Sequence, residues 1–313
     1  MGINNSTFIG MSTPYFPVTV ITGVCRSGKT LLGNMLATCS NVEYADEPYT
    51  GMLLPMLSQT GKVEIEFARE WFAVYLCELF NDLLLLRRAN FRPNDLSSIW
   101  TKKPPYEIFE RLIKINTRTE VKEYAKKNGS ALVVTLSECT PFIKFILEAL
   151  PDAKIVHVVR NGYDVALDVE VKKWVSNEQL LSPTNAVLHT PFQFSGSTWF
   201  LPWWVNDGEE HYFLSLSEYE RSLYYWCSLM EKSLEAFRKC KCGEILVRYE
   251  DLVAAPQQEF YRVSKCLSLV PGTLSSMKIA EVRSNNKSSI PVTKIDNEIK
   301  KQVQLINAKV GFI

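Results

Sequence analysis

The chain has 313 residues, 46% of them hydrophobic and 22% charged, with 35 Lys and Arg against 34 Asp and Glu. That apolar share can fill a sizeable core, which excludes wholesale disorder, and the length suits one large α/β domain, read here as a single domain over 1–313. A net charge of +1 excludes a generically basic nucleic-acid binder, so any anion must be held by a local site and not by bulk charge.

In chain order, Met1 to Gly10 has no basic stretch followed by an apolar one, so no secretory signal is read; Met1-Gly2 with Ser6 formally fits a myristoylation pattern. Val18 to Thr22 is a β-branched run ended by Gly23 and predicts a buried strand. Leu31, Leu32, Met35 and Leu36 then recur at helical spacing, predicting a helix over 29–38. Residues 63–89 and 107–127 carry the same periodicity, the second ending near Asn128-Gly129, and the region of about 60–128 reads as a helical insertion. The most apolar short run, Leu83 to Leu86, is far below the ~20 residues that span a bilayer.

Ala131 to Thr135 predicts the next buried strand, Pro141 to Leu150 a helix, Lys154 to Val159 another strand, and a helix follows from about Tyr163. Residues 182–215 differ: Pro, Ser, Thr and aromatics without a clear period, which reads as a long binding loop and the candidate acceptor site. Glu218 to Lys239 returns to helix, Glu244 to Arg248 to strand and Gln257 to Leu267 to helix, while the segment from Arg283 begins polar and loop-like. Strands alternating with helices predict a central parallel sheet covered on both faces. Eight cysteines are too sparse for a disulfide scaffold, and Cys240 and Cys242 form no CxxC pair, so the thiols read as reduced and the protein as cytoplasmic.

The strongest local signal is Gly23-Val-Cys-Arg-Ser-Gly28-Lys29-Thr30, which fits GxxxxGK[ST] between a predicted strand and a predicted helix. Glycines let the backbone wrap an oxyanion, N–H groups at the helix start point inward, and Lys29 and Thr30 add a charge and a hydroxyl. A kinase of this type needs a carboxylate at a neighbouring strand end to hold Mg²⁺. Strand 154–159 ends instead in Arg160, and 131–135 runs into Leu136-Ser137-Glu138. With Arg26 inside the loop as well, the pattern suits an anionic cofactor bound without metal.

At these residues the sequence resembles the sulfotransferase family that uses 3′-phosphoadenosine 5′-phosphosulfate, over about 18–50, 131–175 and 218–290. Arg26-Ser-Gly-Lys-Thr-Leu31 is similar to the family's 5′-phosphosulfate loop, with Lys29 in place of its first Thr. Asp46-Glu47-Pro48 resembles the acidic segment after the first helix, residues 151–165 the 3′-phosphate strand-loop-helix, and Arg248-Tyr-Glu-Asp-Leu252 a recurrent segment whose Tyr, here Tyr249, contacts nucleotide. Spacing is nearest the tyrosylprotein sulfotransferase branch, without its membrane anchor. The resemblance implies a P-loop type sulfotransferase fold and metal-independent, in-line sulfuryl transfer to a hydroxyl or amine of a small-molecule acceptor, with 3′,5′-diphosphoadenosine as product.

It also implies residue roles. Arg26 and Lys29 stabilise developing charge, Glu47 is the general base, and Arg26, Ser27, Gly28, Lys29, Thr30 and Leu31 form the loop that holds the donor. Arg160 takes the 3′-phosphate through its guanidinium fork. Eight residues later most relatives have Ser, but this chain has Asp168. Unit like charges ~4 Å apart at an effective dielectric of ~20 repel by ~4 kcal/mol. Asp168 therefore needs a cation beside it, and Lys172 one helical turn on is the candidate for that cation or for a direct phosphate ligand. Arg283, Ser284 and Lys287 match a C-terminal nucleotide loop. Cys139 stands where many relatives carry Lys and reads as a small buried residue, and His157 as a structural residue of a buried strand. His189, Trp199, Trp203 and His211 are acceptor-site candidates, the two histidines being alternative bases. Two other readings stay open: a small-molecule kinase using Mg-ATP, and a nucleotide-binding protein without catalysis.

Overall fold

The computed structural model describes residues 14–95, 97–184, 188–282 and 295–312. Its centre is a five-stranded, wholly parallel sheet in the order β2-β3-β1-β4-β7. In chain order the elements are β1 (Val18–Gly23), α1 (Lys29–Leu36), β2 (Val42–Asp46), α2 (Tyr49–Gln59), α3 (Ile65–Leu84), α4 (Pro105–Lys114) and α5 (Arg118–Asn128). There follow β3 (Ala131–Ser137), α6 (Ile143–Ala149), β4 (Lys154–Val159), α7 (Gly162–Val171), α8 (Asn177–Leu181), β5 (His189–Phe194), β6 (Ser197–Pro202) and α9 (Glu210–Ser215). The described chain closes with α10 (Glu218–Cys240), β7 (Glu244–Arg248), α11 (Tyr249–Ala254), α12 (Pro256–Leu267), α13 (Ser275–Ala280) and α14 (Asn297–Lys309).

The β-branched runs form central strands because both of their faces are covered. Val20, Leu132 and Val134 point to one side and pack with Leu76, Phe80 and Ile146. Ile21, Val133, Val156 and Val247 point to the other and pack with Leu32, Met35, Phe260 and Val263. A third apolar cluster joins α7, α10 and α14 around Trp226, which is wholly buried. Gly162 lets α7 approach: a Cβ there would lie 2.6 Å from the Trp226 ring.

The structure corrects two sequence expectations and adds elements that the pattern did not show. The helix expected over 107–127 is two helices, because the chain extends at Ile115 and Thr117 restarts it with a capping box to Glu120. Residues 42–46 form an edge strand and 49–59 a helix, neither of which the pattern showed. The segment 182–215, expected to be irregular, contains the antiparallel hairpin β5-β6, paired from His189↔Pro202 to Phe194↔Ser197, and turned through Ser195 and Gly196, both at positive φ. Finally, the polar tail ends in helix α14, capped by Asp296 and seated on Trp226's cluster through Ile299, Val303 and Ile306. Among the described residues no helix is long and apolar enough to cross a membrane, and all eight cysteines are unbridged. Gly2 and Ser6 lie outside the described residues.

Candidate functional site

A parallel sheet puts all carboxyl strand ends on one edge, where α/β proteins place ligands. Here that edge opens into a cleft of about 910 Å³ lined by residues from the β1–α1 loop, Glu47 after β2, Arg160 after β4, α7 and Tyr249 after β7. The β1–α1 turn needs its glycines. At Gly23 (φ 146°) a Cβ would lie 2.2 Å from the Val158 carbonyl oxygen, and at Gly28 (φ 96°) 2.4 Å from the Tyr249 ring. Arg26 between them is also left-handed, at φ 66°. Gly28 caps α1 without a side-chain bond, and the first turn of α1 carries no acidic residue, so its N–H groups face the cleft uncompensated.

The polar groups of this loop suit an oxyanion. Ser27 Oγ is buried with no hydrogen-bond partner among the described residues, an unusual state for a hydroxyl. Lys29 is 3% exposed, and its Nζ donates to the Val24 carbonyl at 2.7 Å. That acceptor is neutral, so it satisfies an N–H without pairing the charge. The site thus holds a buried donor and a buried cation with capacity to spare, and the residues fit a phosphate or phosphosulfate group.

On the far wall, Arg160 lies over the Tyr249 ring, 4.6 Å from its centroid. Its Nη1 donates to the Arg26 carbonyl at 3.0 Å and to Asp168 Oδ2 at 2.8 Å, while its Nε is buried and unpartnered among the described residues. Arg26 Nε lies 3.7 Å from the same Asp168 oxygen. The cations that offset Asp168 are therefore Arg160 and Arg26. Lys172, the expected partner, lines the cleft and is exposed, and no ion pair joins it to Asp168.

Two carboxylates sit at adjacent strand ends, each on left-handed backbone: Glu47 at φ 45° and Glu138 at φ 60°. The Ser137 hydroxyl donates to Glu47 Oε1, and Glu47 is exposed to the cleft. Glu138 accepts from the Tyr225 hydroxyl, which itself accepts the Cys25 N–H at 3.3 Å and so ties the β1–α1 loop to α10. Burial, with the Glu138 charge beside it, pushes the Cys25 thiol up to about 12, so it stays a thiol. Cys139 is wholly buried and raised for the same two causes, as a small core residue should be. Non-glycine residues on left-handed backbone cost energy and cluster where function over-determines them; Arg26 and Glu47 both line this cleft.

A carboxylate does stand beside the loop hydroxyl. Thr30 Oγ1 donates to Asp46 Oδ1 at 3.3 Å, and Tyr44 OH donates to the same oxygen at 2.7 Å. The sequence shows Asp46 only as part of an acidic segment, because nothing in it predicts β2, whose end sets Asp46 beside Thr30. Of the expected donor-site residues, Arg26, Gly28, Lys29, Thr30, Leu31, Glu47, Arg160, Asp168, Lys172 and Tyr249 all line the one cleft, with Ser27 buried beneath it. Arg283, Ser284 and Lys287 lie outside the described residues. The acceptor candidates do not line it. His189 and Trp203 border a separate 510 Å³ pocket, His211 packs against Phe192 and Phe194, and Trp199 stacks near Arg221. His157 is buried, its Nδ1 3.2 Å from Glu244 Oε2. Trp174, Glu281 and Val282 also line the cleft and carried no sequence signal, nor did the Tyr225–Glu138 pair.

Residues 17–187 match the model described as the Sulfotransferase family. Among solved structures, the chain is similar to the sulfotransferase domain from the curacin biosynthetic pathway, at 16% identity over 95% of this chain and 98% of that one, with a TM-score of 0.49. It is also similar to the sulfotransferase domain of the Synechococcus PCC 7002 olefin synthase, at 15% identity over 92% and 94%, with a TM-score of 0.48. No curated protein matches it.

Proposed function

Since the chain belongs to the sulfotransferase family, we propose that it transfers a sulfuryl group from 3′-phosphoadenosine 5′-phosphosulfate to a hydroxyl or amine of a small-molecule acceptor in the cytoplasm. The observation that carries this reading is the anion cradle: an unpartnered buried Ser27 hydroxyl, a buried Lys29 and uncapped α1 N–H groups in one cleft with Arg160. When bound, the donor supplies an activated sulfuryl group and a nucleotide leaving group. Ser27, Gly28, Lys29 and Thr30 hold its phosphosulfate end. Lys29, whose ammonium meets the neutral Val24 carbonyl, would there gain a charged acceptor. Arg160 and Tyr249 hold the nucleotide end. Glu47, oriented by Ser137, takes the proton of the acceptor. Preorganised donors of this kind stabilise charge without reorganising, which is where most rate enhancement arises.

One observation favours the Mg-ATP reading: Asp46 beside Thr30 is the pairing that holds Mg²⁺ in phosphate-loop kinases. Titration calorimetry with 3′,5′-diphosphoadenosine, ADP and ATP, each with and without Mg²⁺, separates the two. The sulfuryl-transfer reading expects 3′,5′-diphosphoadenosine to bind without Mg²⁺ and no nucleotide to gain affinity from the metal. Tight ATP binding that appears only with Mg²⁺ overturns it.

A further inference from the structure

The far wall of the cleft has a charge balance unlike that of a simple phosphate site. Arg160 is a cation of that wall, and its Nη1 is already engaged by Asp168 Oδ2 at 2.8 Å and by the Arg26 carbonyl at 3.0 Å, with Arg26 Nε 3.7 Å from the same Asp168 oxygen. Two more carboxyls face Arg160. Asp164 lies one helical turn before Asp168, and Glu250 accepts the Asn161 N–H at 3.0 Å beside it. Burial raises both, and the Arg160 charge only partly opposes that. Lys172 is the remaining cation of this wall.

From this arrangement, and resting on the donor reading above, we propose that Asp168 is a specificity-determining residue: an internal carboxylate that occupies the anion position between Arg160 and Arg26 and competes with the 3′-phosphate of the nucleotide. A phosphate reaching Arg160 must displace Asp168 or lie against it. Two guanidinium groups that would otherwise reward a 3′-phosphate are thereby partly spent, so the protein discriminates only weakly between nucleotides with and without that group. Arg160 Nε, buried and without a hydrogen-bond partner among the described residues, is a donor the carboxylate leaves open.

The test is calorimetric affinity for 3′,5′-diphosphoadenosine and for adenosine 5′-monophosphate in the wild type, Asp168→Asn, Asp168→Ser and Arg160→Ala. Asp168→Asn keeps the shape and removes the charge. Both Asp168 variants should tighten 3′,5′-diphosphoadenosine by about tenfold or more and leave the monophosphate within about twofold. Arg160→Ala should abolish the difference between the two nucleotides. If the Asp168 variants, folded with unchanged Tm, weaken or do not change the bisphosphate, then Asp168 orients Arg160 instead of competing, and the proposal is overturned. Binding of neither nucleotide by the wild type or any variant is a different failure: it removes the donor reading itself and this proposal with it.

Discussion

Lys29 Nζ rests on the Val24 carbonyl, an acceptor too weak to hold a buried ammonium against an incoming phosphosulfate. A contact made mainly as charge develops should govern turnover more than binding. Lys29→Ala is therefore expected to lower kcat by about 10²–10³-fold while weakening 3′,5′-diphosphoadenosine binding much less; equal losses in single-turnover rate and calorimetric affinity would contradict a transition-state role. Glu47→Gln should cost about 10²–10⁴-fold in kcat with little change in donor affinity, measured by product formation at saturating donor. At this scale the donor loop was legible because its chemistry is contiguous: Gly23 to Thr30 spell strand end, turn and helix start in eight letters. The Tyr225–Glu138 bond, 87 residues apart, and the Asp168 clamp were not, because nothing local in the sequence says which carboxylate meets which hydroxyl or guanidinium.

Edge strand β2 shows why some elements escape a sequence reading. Val42–Asp46 places Glu43 in a position 6% exposed, where a carboxylate is out of place until its partners are known. Arg111 Nη2 reaches Glu43 at 2.6 Å and Glu107 as well, and Lys103 Nζ lies 3.7 Å from Glu107 and donates to the Cys39 carbonyl at 2.9 Å. Two cations and two carboxylates, all buried, pin α4 and its leading turn to β2. Removing one member leaves an uncompensated buried charge. Arg111→Ala is expected to destabilise the fold by about 3–5 kcal/mol in urea unfolding, whereas Arg111→Ala together with Glu43→Leu should recover part of the loss. The hairpin β5-β6 was missed for a related reason: its turn, Ser195-Gly196, is clear, but the aromatic residues on both strands hide the alternation that marks a half-exposed ribbon. The central strands β1, β3 and β4 were legible because burial on both faces makes them continuous apolar runs.

For the whole molecule, the same buried charges set the acid limit of stability. Burial by itself would raise the Glu43 carboxyl, but Arg111 and Lys103 outweigh it and hold the group below its ordinary value. A carboxyl depressed in the folded state contributes stability that is fully present above the unfolded value and is lost as pH falls through the folded one. Acidification below about pH 4 should therefore lower the urea midpoint of the wild type steeply, and Glu43→Gln should flatten that dependence; an unchanged slope would assign acid unfolding to other carboxylates. The cleft is assembled from every part of the chain: Lys29 and Glu47 near the start, Arg160 and Asp168 midway, Tyr249 late. Its β1–α1 loop leans on Tyr225, 200 residues downstream, through the Cys25 N–H, and on Tyr249 through the space Gly28 leaves open. A ribosome that has delivered only the first half of this polypeptide has made the complete signature motif without either phenol that props it. Under the proposed function, nucleotide in the surrounding solution has nothing to rescue in an unfinished product, and only chains released past β7 and α11 gain stability by binding it.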